Sequence, residues 1–227
     1  LFHWRASDLS LQALTGQTPT LYRAATGSTT DTNGTALTVP RYAPRWTAID
    51  TDSDTTRDTV ALGLGSNEYL KYDSLIARGQ VWMYCVFWDR GGYVQSPGNV
   101  GYAGIGETTG SGTGLSIFPA AGGVSARHFV SGSGATATSG VTLTSGDRCE
   151  ALVTMNANGR PTITVVKNTA AAVSVTAGSD PSNMTTVFSP ASIYVGSFED
   201  SVSAACDMLA MKIGSGTTTL TDAREAL

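Results

Sequence analysis

Carboxylates, histidines and one run of aromatics are the residues in this sequence whose types and spacing bear on chemistry. Asp50, Asp52, Asp54 and Asp58 crowd one short stretch. Carboxylate oxygens gathered in a loop suit Ca2+, a hard cation that takes about six to eight oxygen ligands. The spacing resembles part of an EF-hand loop but lacks its glycine and its terminal glutamate. A solvated acidic loop is therefore favoured, with Ca2+ as the cofactor the loop would otherwise hold. The remaining acids offer little for acid–base work. Glu68, Glu107, Glu150, Glu199 and Glu225 are scattered singly. Two carboxylates that flank a glycosidic bond from one strand must sit at alternate positions, because neighbours point to opposite faces. Glu199-Asp200 is an adjacent pair and fails that test.

The histidines are His3 and His128. Ser131 and Ser133 lie near His128, but no G-x-S-x-G elbow accompanies them. Gly132-Ser133-Gly134 falls in a Gly/Ser stretch where such triplets arise from composition, and His128 is expected to be a partly exposed strand residue. Gly110–Gly114 lacks the Lys-Ser/Thr and the helix that a phosphate loop requires. The expectation is that the protein is not an enzyme. Trp82, Tyr84 and Trp88 share one face of a strand, with Tyr93 and Tyr102 close by in sequence. Such rings can stack on sugars, but Trp and Tyr also carry large areas into cores and interfaces. Packing is the favoured role, and glycan or partner binding the alternative.

These side chains are positioned by strands. Val81–Trp88 is apolar on both faces: Val81, Met83, Cys85 and Phe87 on one, Trp82, Tyr84, Val86 and Trp88 on the other. A half-solvated strand alternates, so something must cover the second face: the N-terminal arm, a loop, a ligand or a neighbouring subunit. Asp147–Lys167 reads as a hairpin. Asn158-Gly159 favours the φ > 0 conformations of a tight reversal. Cys149, Ala151, Val153 and Met155 fall on the core face, and Glu150 opposite them as an ordinary side chain. Shorter strands are expected at 60–64, 68–72, 102–105, 114–118, 126–130, 141–143, 172–176, 193–196 and 206–213. Ser131–Gly140 reads as a mobile low-complexity loop. Thr221–Leu227 reads as a helix with Thr221 or Asp222 as its N-cap.

The composition agrees with one all-β domain. In 227 residues, 41% are hydrophobic, enough for a core, and 14% are charged, against roughly 25% in an average soluble domain. A net charge of −4 and the lack of any Lys/Arg cluster argue against nucleic acid as a partner. No apolar run approaches the roughly 18–20 residues of a membrane-spanning helix. Leu1-Phe2-His3-Trp4-Arg5 carries neither an initiator Met nor a signal-peptide pattern, as if the chain were trimmed or began further upstream. Cys85, Cys149 and Cys206 are far apart and odd in number. Buried free thiols are favoured over one disulfide plus one free thiol.

From about Asn67 the order of elements resembles the laminin-G/concanavalin A-like jelly roll. The resemblance rests on Glu68–Tyr72, the aromatic strand Val81–Trp88, Gly104-Ile105-Gly106 with Gly114–Phe118, and Leu143–Val153 with its partner Pro161–Lys167. Ile193-Tyr194-Val195-Gly196, Cys206–Ile213 and the terminal helix complete it. It implies an all-β, concanavalin A/laminin-G-like jelly-roll β-sandwich over 59–227, with an extended N-terminal arm and lead-in strands over 1–58. Laminarinase-type members of that fold carry E-x-D-x-x-E on one strand, a motif this sequence lacks. In the arm, Leu21–Gly34 followed by Val39-Pro40-Arg41-Tyr42 is similar to a lead-in of tailed-bacteriophage structural proteins. That resemblance implies a virion localisation and a non-enzymatic role as capsid decoration, head fibre or tail component. Its partners would be other capsid or tail subunits in a homo-oligomeric setting. A carbohydrate-binding module or tail adhesin recognising a host-surface glycan is the alternative, and a glycanase-like enzyme a distant third.

Overall fold

The computed structural model describes residues 2–5, 20–23, 35–36, 45–49, 59–64, 68–91, 100–106, 112–131, 133–181, 187–197 and 202–225. The first strands are β1 (Phe2–Arg5), β2 (Thr20–Arg23), β3 (Thr35–Ala36), β4 (Arg45–Ile49), β5 (Thr59–Leu64) and β6 (Glu68–Arg78). The middle of the chain adds β7 (Val81–Asp89), β8 (Val100–Gly101), β9 (Ala103–Gly106), β10 (Thr113–Ala120), β11 (Gly123–Val130) and β12 (Ser133–Thr138). Then come β13 (Arg148–Met155), β14 (Pro161–Lys167), β15 (Val173–Thr176), β16 (Val187–Val195), β17 (Val202–Ser203) and β18 (Cys206–Ser215), and the chain closes with helix α1 (Leu220–Glu225).

Two eight-stranded sheets result. The first runs β15-β14-β13-β7-β18-β5-β4, with β1 also paired to β18; the second runs β12-β11-β10-β9-β16-β6-β2-β3. Pairing within both is antiparallel, while β8 and β17 make a small parallel ribbon. The order of elements is that of a concanavalin A/laminin-G-like jelly-roll sandwich. Within residues 1–58, β1 and β4 hydrogen-bond into the first sheet and β2 and β3 into the second.

The core lies between the sheets and follows strand alternation. Met83, Cys85 and Phe87 of β7, Cys149, Ala151 and Val153 of β13, and Ile163 and Val165 of β14 meet Ile105, Leu115, Ile117 and Val195 of the second sheet. Burying such side chains is worth about 1.5–3 kcal/mol each for the larger ones. Cys85, Cys149 and Cys206 are buried free thiols within this layer, and burial pushes all three thiols well above the ordinary range.

Three expectations are corrected. Ser131–Gly140 is not a loop throughout: Ser133–Thr138 forms β12 against β11, with Ala135 and Ala137 buried. Its small alternating residues satisfy the pattern of a strand despite their low complexity, and Ser131 takes φ 43° at the reversal. Val141–Leu143, by contrast, is not a strand. The terminal helix begins one residue earlier than expected and its N-cap is Thr219. Thr219 Oγ1 accepts the Asp222 N–H at 3.2 Å, and the Asp222 carboxylate accepts the Thr219 N–H at 3.2 Å, a reciprocal capping box.

Candidate functional site

The outer face of the first sheet holds the aromatics that the sequence singles out. Strand alternation sends Trp82, Tyr84, Val86 and Trp88 of β7 away from the core. Register then places Arg148 and Asp207 beside Trp88, Glu150 and Ala210 beside Val86, and Leu152 and Lys212 beside Tyr84. Helix α1 covers the middle of this surface. Ala223 is fully buried there, packed with Trp82, Tyr84, Val86 and Leu152, with Leu209 and Leu220 at the margin. The doubly apolar character of β7 therefore has an internal cause: the chain's own C-terminal helix is the cover. Gly214 makes room for the Trp82 indole, since a Cβ there would lie 2.1 Å from its Cζ2. The Lys212 ammonium stands 5.7 Å from the Trp82 ring centre.

Glu150 anchors the helix, which overturns its expected role as an ordinary side chain. It does lie on the outer face, but it is only 5% exposed. Its carboxylate accepts hydrogen bonds from Arg224 Nε at 2.6 Å, Arg148 Nη1 at 2.6 Å and the Tyr84 hydroxyl at 3.0 Å. Burial would raise its pKa, but the bonds from Arg224 and Arg148 outweigh that and hold it below the usual carboxylate range. The same contacts push the Tyr84 hydroxyl the other way. Its burial comes first, and the adjacent Glu150 charge adds to it, so the phenol stays protonated.

Beyond the helix, the row Arg148–Trp88–Asp207 forms the half-open end of this face. Trp88 is half-buried, and the Arg148 guanidinium sits 5.8 Å from its ring centre. Asp207 is held by Arg90 in a bidentate pair, one bond being Arg90 Nε to Oδ2 at 2.9 Å. An indole flanked by guanidinium and carboxylate groups can receive the apolar face of a sugar ring and hydrogen-bond its hydroxyls. Arg90, Arg148 and Asp207 were not legible as neighbours of Trp88, because cross-strand register carries the association and the sequence does not print it.

The other sequence-chosen residues disperse. Trp82 is 8% exposed and Tyr84 1%, both under α1, so neither offers a ring face to solvent. Tyr102 is fully buried between the sheets. It stacks on Phe87 with ring centres 4.1 Å apart and donates its hydroxyl to the buried Asp89 at 2.9 Å. Tyr93, Asp50, Asp52, Asp54 and Asp58 lie outside the described residues, so the candidate Ca2+ loop is not seen. Among the described residues, no three His, Cys, Asp or Glu side chains gather as a metal site. The sequence also passed over an aromatic group on the outer face of the second sheet. Tyr69 and Tyr194 meet at 5.9 Å, with Lys71 Nζ 5.6 Å from the Tyr194 ring centre.

His128 is a further correction. It is fully buried, not partly exposed, because the β13–β14 turn folds over it. Its Nδ1 lies 2.6 Å from the Gly159 carbonyl oxygen. Gly159 takes φ +75°, and a Cβ on it would fall 2.9 Å from the imidazole, so both backbone freedom and space require glycine there. Burial lowers the His128 pKa, opposed in part by the Gly159 bond. Because a carbonyl oxygen only accepts, Nδ1 carries the proton in this bond.

No protein-family model matches the sequence, and comparison with curated proteins finds no match. Solved structures share the fold. Domain 4 of an extracellular arabinanase from Geobacillus stearothermophilus, in complex with arabinotriose, is 12% identical; the match covers 98% of this chain and 95% of that one, with a TM-score of 0.64. Full-length tailspike protein 2 of an Escherichia coli O157:H7 bacteriophage is 14% identical at a TM-score of 0.57, over 89% of this chain but only 26% of the tailspike. The enzymatically active domain of bacteriophage CBA120 tailspike protein 2 gives a TM-score of 0.55 at 14% identity, with 89% of this chain and 29% of that one covered. At these identities the likeness is one of fold.

Proposed function

We propose that this chain is a non-catalytic module of a bacteriophage virion that works by surface contact, as capsid decoration or as a head-fibre or tail component. Its partners in this proposal are other virion subunits. The observation that carries the proposal is the fold shared with a phage tailspike over 89% of this chain, together with the Leu21–Tyr42 stretch similar to tailed-phage structural proteins. Four of the described carboxylates support a non-catalytic role. Glu150 is committed to Arg148 and Arg224, Asp207 to Arg90, Asp147 to Lys167 and Asp180 to Arg160. Carboxylates neutralised in this way hold structure together and are poor general acids. Labelling of intact particles from the encoding phage with an antibody to this chain tests the proposal. Decorated particles are expected. Unlabelled particles, or hydrolysis of a polysaccharide by the purified chain, would overturn it.

A second role, recognition of a host-surface glycan, is favoured by the Arg148–Trp88–Asp207 row and by the arabinotriose bound to the arabinanase domain of the same fold. Trp88→Ala should abolish binding on a glycan array, arabino-oligosaccharides included, while the protein stays folded. Trp82→Ala should leave glycan affinity unchanged and weaken the docking of α1 instead. Equal loss in both variants would count against a sugar site at Trp88.

A further inference from the structure

One flank of the sandwich ends in edge strands that carry no charged residue and no proline. The first sheet ends there at β15 and the second at β12, and β12 packs beside β14 and β15. Natural edge strands are guarded by shortness, by Lys or Glu, by Pro, by bulges or by a covering element, and β15, with four residues, has only the first of the sequence-borne guards. Neither of these edges carries a charge or a proline: Phe129–Gly146 and Asn168–Ser179 contain no Asp, Glu, Lys, Arg or Pro. The strand β15, Val173-Ser174-Val175-Thr176, is half-buried at Val175 and exposed at its other positions. Val173, 39% exposed, is the exposed large hydrophobic residue among those described.

The backbone of β15 is open in a defined pattern. Ala177 donates its N–H to Pro161 at 3.0 Å, and the register pairs Val175 with Ile163 and Val173 with Val165. In an antiparallel ladder, hydrogen-bonded pairs alternate. Val173 and Val175 therefore spend their amides and carbonyls on β14, and Ser174 and Thr176 direct theirs outward. Two such edges are complementary to each other when run antiparallel, Ser174 of one facing Thr176 of the other and the reverse.

We propose that β15 is an assembly edge, pairing antiparallel with β15 of a second copy of this chain so that two first sheets join across a two-fold axis. Geometry selects this occupant. The outward groups of Ser174 and Thr176 match those of the same edge turned about a two-fold axis, and although each copy carries a net charge of −4, β15 itself brings no charged residue to the seam. The exposed Val173 is covered in the joined sheet. Size sets the strength. An edge of four residues at roughly 3.4 Å each, on a sandwich with sheets about 10 Å apart, buries less than the ~800 Å² per partner of a standard interface. The dimer is thus concentration-dependent, reinforced where copies are held close together.

The test is the molar mass of the full chain by sedimentation equilibrium from about 1 µM to about 1 mM, with amide hydrogen exchange at both ends of the range. A monomer–dimer transition is expected, and the Ser174 and Thr176 amides should gain protection as it proceeds. Ser174→Pro removes an outward N–H without touching the β14 ladder, and Val173→Lys adds the missing guard. Both should remain monomeric at the highest concentration, with unfolding midpoints close to the parent's. If the parent stays monomeric throughout, the proposal is overturned. It is equally overturned if both variants dimerise as the parent does, or if dimerisation leaves the Ser174 and Thr176 amides unprotected.

Discussion

Replacing Glu150 by Ala should release helix α1 from the outer face of the first sheet. The carboxylate is 6% exposed and accepts from two guanidiniums and a phenol. Breaking a buried ion pair by deleting one partner costs about 3–5 kcal/mol. That figure is discounted here, because Arg148 and Arg224 side chains are 29% and 45% exposed and can recover water, so the loss falls to about 2–3 kcal/mol. Glu150→Gln keeps the volume and one acceptor, and should lose about 1–2 kcal/mol. Urea unfolding followed by far-UV circular dichroism reads both values, and a cycle with Arg224→Ala isolates the pair, with a coupling of about 0.5–1 kcal/mol expected. Tryptophan fluorescence should shift to the red in Glu150→Ala as Trp82 meets water. The pH dependence has a definite sign. A folded pKa held below the unfolded value of about 4.3 adds stability above that value, and the contribution disappears as pH falls through the folded pKa. The parent and Glu150→Gln should therefore draw together in stability as pH falls below about 4.3, and converge only below the folded pKa. A loss under about 0.5 kcal/mol for Glu150→Ala, or no coupling to Arg224, would refute the anchoring role.

Other perturbations probe the remaining contacts. With a folded His128 pKa below the unfolded value of about 6.5, the unfolded chain binds the extra proton first, so stability should fall as pH drops below that value; His128→Leu should flatten this slope in urea midpoints measured between pH 7.5 and 5. Gly140 and Gly159 share φ +75°, but a Cβ on Gly140 meets nothing within 4 Å. Gly140→Ala should cost about 1–2 kcal/mol from backbone strain alone, and Gly159→Ala more, by the clash with His128; equal losses in thermal unfolding would count against that contact. Gly214→Ala should displace the Trp82 indole and raise the exchange rate of the α1 amides, an effect absent if the indole has room to turn.

The sequence made legible what alternation alone determines. Cys149, Ala151, Val153 and Met155 take the core face as their period of two requires, and Gly159 turns the hairpin. What it hid depends on partners distant in the chain. Glu150 is ordinary until Arg224, 74 residues on, is brought over it by α1. His128 reads as a half-exposed strand residue because the turn that seals it lies 31 residues away. Ser133–Thr138 was obscured for a different reason. Small residues pack well enough against β11 to make a strand, but they lack the bulk that signals one. Alternation along β7 places Trp88 on the outer face, while its charged neighbours wait on the β13–β7–β18 register.

Imaging particles of a phage that encodes this chain tests the proposed virion role most directly. Density is expected on the head or tail into which the two-sheet sandwich fits as a rigid body, with α1 closed over Trp82. Particles whose reconstruction has no such density, and whose purified proteins lack this chain, would contradict that role.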